Sequence, residues 1–367
     1  MSIIKHIGSR LFSLYSLVDP LVWQNRYASN SIKTKKKYIE LDAVDTTTTK
    51  KIKEIWGWVS DWHRFYYSIG DKSKGHLYFP DGFFYDIIDR NLNDWKIAPV
   101  IDDKSLYDLL FHDVSQPRTI ARFIGGVYMD SEYQIISFED VIKLCEMKGS
   151  VIIKVPYGSS GGHGIKFWHQ GDTNDLKNQL NSFNSFVIQE IIIQHNELAK
   201  LHPQSLNTIR IMTITLDGQV KILSSIVRMG IGNSRVDNVS SGGLACGVKS
   251  DGSLKSYAFD GHGHRYDKHP QGARFQDSTI PNYYKIVSLS KHLAPRLSRF
   301  SKLISWDFAV DTKGQPLLIE ANLCGGELDF HQMCNGPIFG DEETTKAMLE
   351  KFYKVKLIEL IKTSLLR

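Results

Sequence analysis

Apolar positions recur along this chain with two different periods, and the switches between them mark out its organisation. Ile4, Ile7, Leu11, Tyr15 and Val18 return every three or four residues, the spacing of one helix face, and a second helical stretch runs from about 50 to 70. From Leu77 the texture changes to LYFPDGFFYDIIDRNLNDWKIAPVIDDKSLYDLLF and then PRTIARFIGG, which reads as short strands and a helix punctuated by Pro and Gly. SFEDVIKLCEMKG predicts a helix capped by Ser137, with Asp140 in its first turn and Gly149 at its end. Strand patterns follow in SVIIKVP, GIKFW, FVIQEI, NTIRIMTITL, QVKILSSIVRMG and GGLACGV, with one helix near Asp172 to Asn184 and an amphipathic helix at the C-terminus. Mixed periods of this kind predict an α+β chain.

The hairpin SWDFAV, DTKGQ, PLLIEANLCGG carries the densest polar signal. With its turn near Lys313 and Gly314, Asp307 and Glu320 fall roughly opposite each other and Asn322 lies two residues on. Simple alternation puts Ile304, Trp306, Phe308, Val310, Leu317, Ile319, Ala321 and Leu323 on one face, and Asp307, Glu320 and Asn322 on the other. Opposed carboxylates repel, and a hard cation such as magnesium between them relieves the repulsion, with waters and phosphates completing its shell. The competing reading is a solvated polar face.

Composition narrows the class. At 367 residues and 42% hydrophobic, the chain can build a substantial core in two or three lobes. Cys145, Cys246, Cys324 and Cys334 show no CxxC pairing and no secretory leader precedes them, which suits reduced thiols in a cytoplasmic protein. Cys324 reads as a small buried thiol rather than a nucleophile. No apolar run approaches the roughly 18 residues a membrane span needs. Residues 1 to 40 hold seven Lys or Arg against Asp19 and Glu40, a net +5 that equals the charge of the whole chain. The basic character therefore belongs to an N-terminal arm. It reads either as a peripheral membrane-surface helix or as a docked helix followed by a solvated KTKKK run. No nucleic-acid partner is expected, since the charge is not spread over a domain face and Trp56, Trp58, Trp62, Phe65, Tyr66 and Tyr67 suit a core.

Other segments add candidate anion contacts. IIKVPYGSSGGHGIKFW sets Lys154 at a strand end, followed by a loop containing Ser159, Ser160, Gly161 and Gly162. Neither GxxxxGKS/T nor GxGxxG occurs, so the loop reads as a flap that can fold over phosphates, or as an ordinary surface hairpin. Lys104 follows a predicted strand and opens a helix. Gln189 and Glu190 end a strand, and Glu197 is available for a ribose hydroxyl. Asn207 and Arg210 start an apolar strand, where a buried guanidinium calls for an anion. Arg228 and Asn238 offer further contacts beside a glycine turn. DGHGHRYDKHP, with His262, His264 and His269, lacks a fixed carboxylate or cysteine to complete a metal set, and reads as a polar loop near an anionic substrate.

Taken in order, these residues resemble the ATP-grasp superfamily. The resemblance implies two α+β lobes sandwiching ATP, preceded here by the helical basic arm. It implies phosphate contacts from Lys104, Lys154 and Ser159 to Gly162, an adenine-reading linker at Gln189, Glu190, Ile191 and Ile192, further nucleotide contacts at Glu197 and Asn207, and Mg2+ on Asp307, Glu320 and Asn322. Within the superfamily, DDKSLYDLLF, SLNTIRIMT, VDNVSSGGL, KHPQGARF and HQMCNGPIFGD look like the branch associated with sugar transfer and surface polysaccharides, over about 77 to 345. GGELDF departs from the proline-containing turn of many relatives. The expected division is a basic arm at 1–76, an N-terminal lobe at 77–136, a lid with the flap at 137–192 and a C-terminal subdomain with the metal site at 193–367.

The chemistry that the resemblance implies is ATP-dependent carboxylate–amine ligation through an acylphosphate. Arg210, Lys154 and Arg228 then act on the transferring phosphoryl group and the carboxylate. Asn238, Gly242, Gly243 and His269 stand on the acceptor side. The implied acceptor is a uronic acid or other sugar carboxylate, free or carried on a sugar nucleotide or glycan, with an amine or amino acid resolving the intermediate. Two alternatives stay open: a phosphotransferase acting on a sugar or lipid carrier, and a non-catalytic ATP-binding docking module.

Overall fold

A computed structural model describes residues 20–157 and 164–352 and folds them as α+β around two antiparallel sheets. The smaller sheet holds β1 (Thr119–Ile124), β2 (Val127–Asp130), β3 (Ser150–Lys154), β4 (Ile165–His169) and β5 (Phe186–Glu190), in the order β2-β1-β5-β3-β4. The larger holds β6 (Ile209–Leu216), β7 (Gln219–Met229), β8 (Leu244–Val248), β9 (Leu254–Asp260), β10 (Arg265–Tyr266), β11 (Leu303–Val310) and β12 (Pro316–Asn322), in the order β10-β9-β8-β7-β6-β11-β12.

Every residue of β11 is buried, because both faces of the larger sheet are covered. On one face Ile304, Trp306 and Phe308 join Ile209, Ile211 and residues of the helix Tyr283–Leu297 in the main core. On the other, Met212, Ile214 and Leu303 pack against Phe84, Ile87, Ile88 and Leu328. The polar face of the hairpin is therefore not solvated, and Asp307 is 1% exposed. Asp307 pairs with Glu320 in register, but a β-bulge follows, so that Phe308 pairs with Leu318. The bulge corrects the simple alternation: Leu318 enters the core, Leu317 is only half-buried and Ile319 turns to the cleft.

On the smaller sheet, the helices Phe138–Lys148 and Thr173–Asn181 bury Val141, Ile142, Cys145, Leu176 and Leu180 against Val151, Ile153, Trp168 and Ile188. Ser137 and Asp140 form a reciprocal cap, and Gly149 ends the first helix at φ 77°. The sheet draws β1 and β2 from residues N-terminal to 137, where the lid was expected to begin.

The chain preceding β1 is helical where short strands were expected. FFYDIIDRNL winds through helical turns over 81–92, since Phe84, Ile88 and Leu92 recur at fourfold spacing and all are buried; the strand preference of aromatic and β-branched residues misleads here. Lys104 accordingly follows a helical turn, Ala98–Ile101, and no strand. Further upstream lie α1 (Pro20–Tyr38), α2 (Thr46–Trp56) and α3 (Asp61–Ile69). Ala28 of α1 and Ile52 and Trp56 of α2 pack in the cluster that covers the larger sheet, while Phe65 and Tyr66 of α3 pack with Ile226 and Phe259. The KTKKK run is not wholly solvated either, because Lys35 is buried and pairs with Asp329 at 3.0 Å. The apolar stripe Ile4 to Val18 and the C-terminal amphipathic helix beyond 352 lie outside the described residues. Among the described residues, no helix is long and apolar enough to cross a membrane.

Candidate functional site

A cleft of about 650 Å³ opens between the two sheets. The larger sheet supplies Arg210, Arg228, Asp307, Ile319, Glu320 and Asn322 to its lining, with Thr208 just before β6, and the smaller supplies Ile152, Lys154, Ile165 and Phe167. Across its mouth, the Arg235 guanidinium stacks on Phe167 at 3.8 Å.

Within the larger sheet, β6 and β11 pair Arg210 with Asp307 in register. Arg210 grips that carboxylate with both arms of its fork, Nε to Oδ1 at 2.8 Å and Nη2 to Oδ2 at 2.7 Å, and its Nη1 reaches Glu327. Arg228 Nη2, from β7, adds a bond to Asp307 Oδ2 at 3.0 Å. Burial pushes the Asp307 carboxyl up, but Arg210 and Arg228 outweigh it and hold the group at about 2. Asn322 Nδ2 donates to Asp307 Oδ2 at 3.3 Å, so the amide and both carboxylates share one patch. Glu320 accepts from Lys104 Nζ at 2.6 Å. Burial lowers the Lys104 pKa, yet Glu320 and Asp102 more than restore it.

The smaller sheet treats its lysine differently. Lys154 Nζ donates to the uncharged amide Gln189 Oε1 at 3.0 Å. Burial first, and then the charge of Lys104, depress this ammonium to about 8. Glu190, Ile191 and Ile192 line the cleft where the chain leaves β5, and the Glu190 carboxylate is turned to Lys148 Nζ at 3.1 Å. Ser159, Ser160, Gly161 and Gly162 lie outside the described residues.

The expected site residues are thus only partly assembled. Lys104, Lys154, Arg210, Arg228, Asn238, Asp307, Glu320 and Asn322 line one cleft together with the linker 190–192. Asn207 instead braces the preceding loop, donating to Leu198 O and His202 O and accepting from Ser205 Oγ. Glu197 pairs with Lys200 at 2.5 Å outside the lining. His269 is fully buried, with Nε2 2.9 Å from Gly230 O. Neither Gly242 nor Gly243 lines the cleft: Gly242 is exposed, and Gly243 is buried where a Cβ would lie 2.6 Å from Met229 O.

Three cleft residues and one carboxylate set behind Lys104 and Glu320 escape sequence reasoning. Glu327 holds Arg210 from a left-handed conformation at φ 58°, and its nearest signal was the departure GGELDF. Asp102 receives the Tyr107 hydroxyl at 2.9 Å, and burial and then Glu320 raise it to about 7. Asp237 accepts from Thr208 N at 3.1 Å and lies 3.6 Å from Arg228. Tyr27, from α1, lines the same end as Glu327; burial, and then Asp329 and Glu327, raise its phenol pKa. One exclusion also changes, since a carboxylate does join the histidine loop: Asp260 Oδ2 lies 2.9 Å from His264 Nδ1.

Residues 86–346 match the family described as sugar-transfer associated ATP-grasp. No curated protein matches the chain. Among solved structures, the biotin carboxylase domain of 2-oxoglutarate carboxylase from Hydrogenobacter thermophilus, in complex with MgADP, ADP and bicarbonate, is similar at 15% identity over 70% of this chain and 46% of that one, with a TM-score of 0.42. D-alanyl-alanine synthetase A from Vibrio cholerae is similar at 10% identity over 74% of this chain and 73% of that one, with a TM-score of 0.42. The chain thus spans less than half the length of the carboxylase domain.

Proposed function

Because the chain belongs to the sugar-transfer associated ATP-grasp family, we propose that it is an ATP-dependent carboxylate–amine ligase, using MgATP to join a sugar carboxylate to an amine or amino acid. The observation that carries this reading is the convergence of Asp307, Glu320 and Asn322 with Lys104, Arg210 and Arg228 on one cleft. The donor set fits magnesium, since two carboxylates and an amide offer hard oxygen ligands at one patch. Asp307, Glu320 and Asn322 would hold the ion, which would supply positive charge against the charge developing on the phosphates.

The side chains are suited to the two steps. In the first, a substrate carboxylate oxygen attacks the γ-phosphorus of ATP, the bond to the β-phosphate bridging oxygen breaks, and ADP leaves an acylphosphate behind. Lys154, Lys104 and Arg210 bring positive charge to the phosphates, and Arg228 orients the carboxylate. In the second, the amine nitrogen attacks the acyl carbon, inorganic phosphate leaves, and the nitrogen loses a proton as the amide forms. The end of the cleft lined by Glu327 and Tyr27 suits the incoming amine, because these acidic and phenolic groups face it with Asp329 behind them. The family's association with sugar transfer supports the choice of a sugar carboxylate.

The test is release of ADP and phosphate from MgATP by the purified protein and by Glu320→Ala, with pools of sugar carboxylates and of amines added separately and together. Release that needs both pools and is lost in the variant is the expected result. Release with a hydroxyl acceptor alone, leaving a stable phosphorylated product, makes the protein a phosphotransferase. Nucleotide binding without turnover under any pool leaves a docking module.

A further inference from the structure

Away from the cleft, one turn gathers three metal-ligand side chains that the ligase reading does not use. The connection from β9 to β10 reads Asp260, Gly261, His262, Gly263, His264, and none of these residues lines the cleft. Asp260 Oδ1 accepts the backbone N–H groups of His262, Gly263 and His264 at 2.8, 2.9 and 3.0 Å. Those bonds fix the carboxylate and turn its other oxygen outwards. Oδ2 then lies 2.9 Å from His264 Nδ1 and 3.8 Å from His262 Nδ1, and one ligand atom from each residue falls within 4.8 Å of the others. Ligand atoms around a tetrahedral zinc sit about 3.3 Å apart, given bonds of about 2.0–2.1 Å. Small side-chain rotations therefore close the set.

The surrounding packing holds this arrangement. Gly263 sits at φ +99° with its Cα against Phe65, where a Cβ would come within 2.8 Å of the ring. Gly261 O accepts from buried Lys35 Nζ at 2.7 Å. Gly263 lets the backbone press onto α3 while both imidazoles stay on the outer side, each side chain 43% exposed. Tyr38, at the end of α1, packs on the His262 ring at 4.0 Å. The Tyr266 hydroxyl stands 3.4 Å from the same Oδ2, and Arg265 is drawn off to Asp267 at 3.0 Å. Hydrogen bonds that fix one oxygen of a carboxylate and leave the other free to bind are how protein metal sites orient such a ligand.

We propose that Asp260, His262 and His264 form a divalent transition-metal site of the zinc type, completed by solvent, which clasps the β9–β10 turn beside the end of α1. The imidazole pair, which suits zinc-like ions, distinguishes it from the all-oxygen patch at Asp307.

Metal-free full-length protein titrated with Co2+ in excess Mg2+ tests this. The expected result is one saturable equivalent with visible ligand-field bands of a nitrogen and oxygen site, abolished by Zn2+ and weakened roughly tenfold or more in both His262→Ala and His264→Ala. Circular dichroism and MgATP binding stay unchanged in both variants, which separates loss of a ligand from loss of the fold. The proposal is overturned if no saturable Co2+ uptake occurs, if the bands persist in both variants, or if thiolate charge-transfer bands show that a cysteine holds the metal.

Discussion

The two sheets bring charge to the cleft in opposite ways. On the larger, each acid is already answered: Asp307 lies between two arginines and Glu320 receives Lys104. On the smaller, Lys154 is desolvated and bonded to an amide. A ligand carrying both a cation and phosphates has to displace the pairs of the first sheet, whereas for the second it supplies an anion. The larger sheet is thus set to exchange partners and the smaller to gain one, which divides the work between holding a metal and drawing in a polyanion.

Asp307→Asn breaks the comparison hardest. It leaves Arg210 and Arg228 buried around a neutral amide, and removing one partner of such a pair costs roughly 3–5 kcal/mol. Denaturant unfolding should show a loss of that order, and ADP release should fall by on the order of 10²–10³-fold or more. Unchanged stability would mean that the arginines find other anions and that the pairs do not hold the cleft together.

Lys154→Met should move stability the other way. An ammonium at about 8 in the folded chain and near its ordinary 10.5 unfolded is a net cost. Between those values the unfolded chain binds more protons, so stability rises with pH there; the cost is full below about pH 8 and gone above about 10.5. The variant should be more stable than the parent by roughly 1–3 kcal/mol at pH 7, with the gap closing as pH rises through that window. Its nucleotide affinity should nonetheless fall. A variant less stable at pH 7 would show that Lys154 is already neutralised in the free protein.

These contrasts were unevenly legible in the sequence. Strict alternation in SWDFAV and the ExN spacing made the carboxylate patch readable, because strand side chains obey a period of two. The β-bulge at Ile319 was not readable, since an extra residue leaves the composition of the strand unchanged while moving Leu318 into the core. Glu327 was hidden because an acidic residue in a left-handed turn has no periodic signature. Asp260 stood two residues from His262 in plain view, yet only the three N–H bonds to Oδ1 reveal where its second oxygen points. Lys35 looked like one of a solvated run, and its partner Asp329 is nearly three hundred residues away in sequence.

If the smaller sheet gains an anion from the ligand, binding must also move a proton. Phosphates beside Lys154 raise its pKa back towards 10.5, so MgATP binding near pH 8 should take up roughly half a proton. Calorimetry in two buffers of different ionisation enthalpy reads this directly as a buffer-dependent heat. The dependence should vanish in Lys154→Met. Persistence there would transfer the proton to Asp102, which titrates near 7 beside Glu320.

The smallest expected effect sharpens the boundary of the comparison. Glu190 lies on the smaller sheet and faces the cleft, but its carboxylate is spent on Lys148, a pair whose side chains are 29% and 42% exposed. Partly exposed pairs of this kind contribute about 0.2–1 kcal/mol and are screened by salt. Lys148→Ala should therefore shift stability by less than about 1 kcal/mol and leave nucleotide affinity unchanged, provided that 190–192 meets its ligand through backbone groups. An affinity change beyond about threefold, measured by titration at low and moderate salt, would instead show that the freed Glu190 carboxylate reaches the ligand. In that case the smaller sheet carries an acid of its own into the cleft, and the division between the two sheets is one of degree.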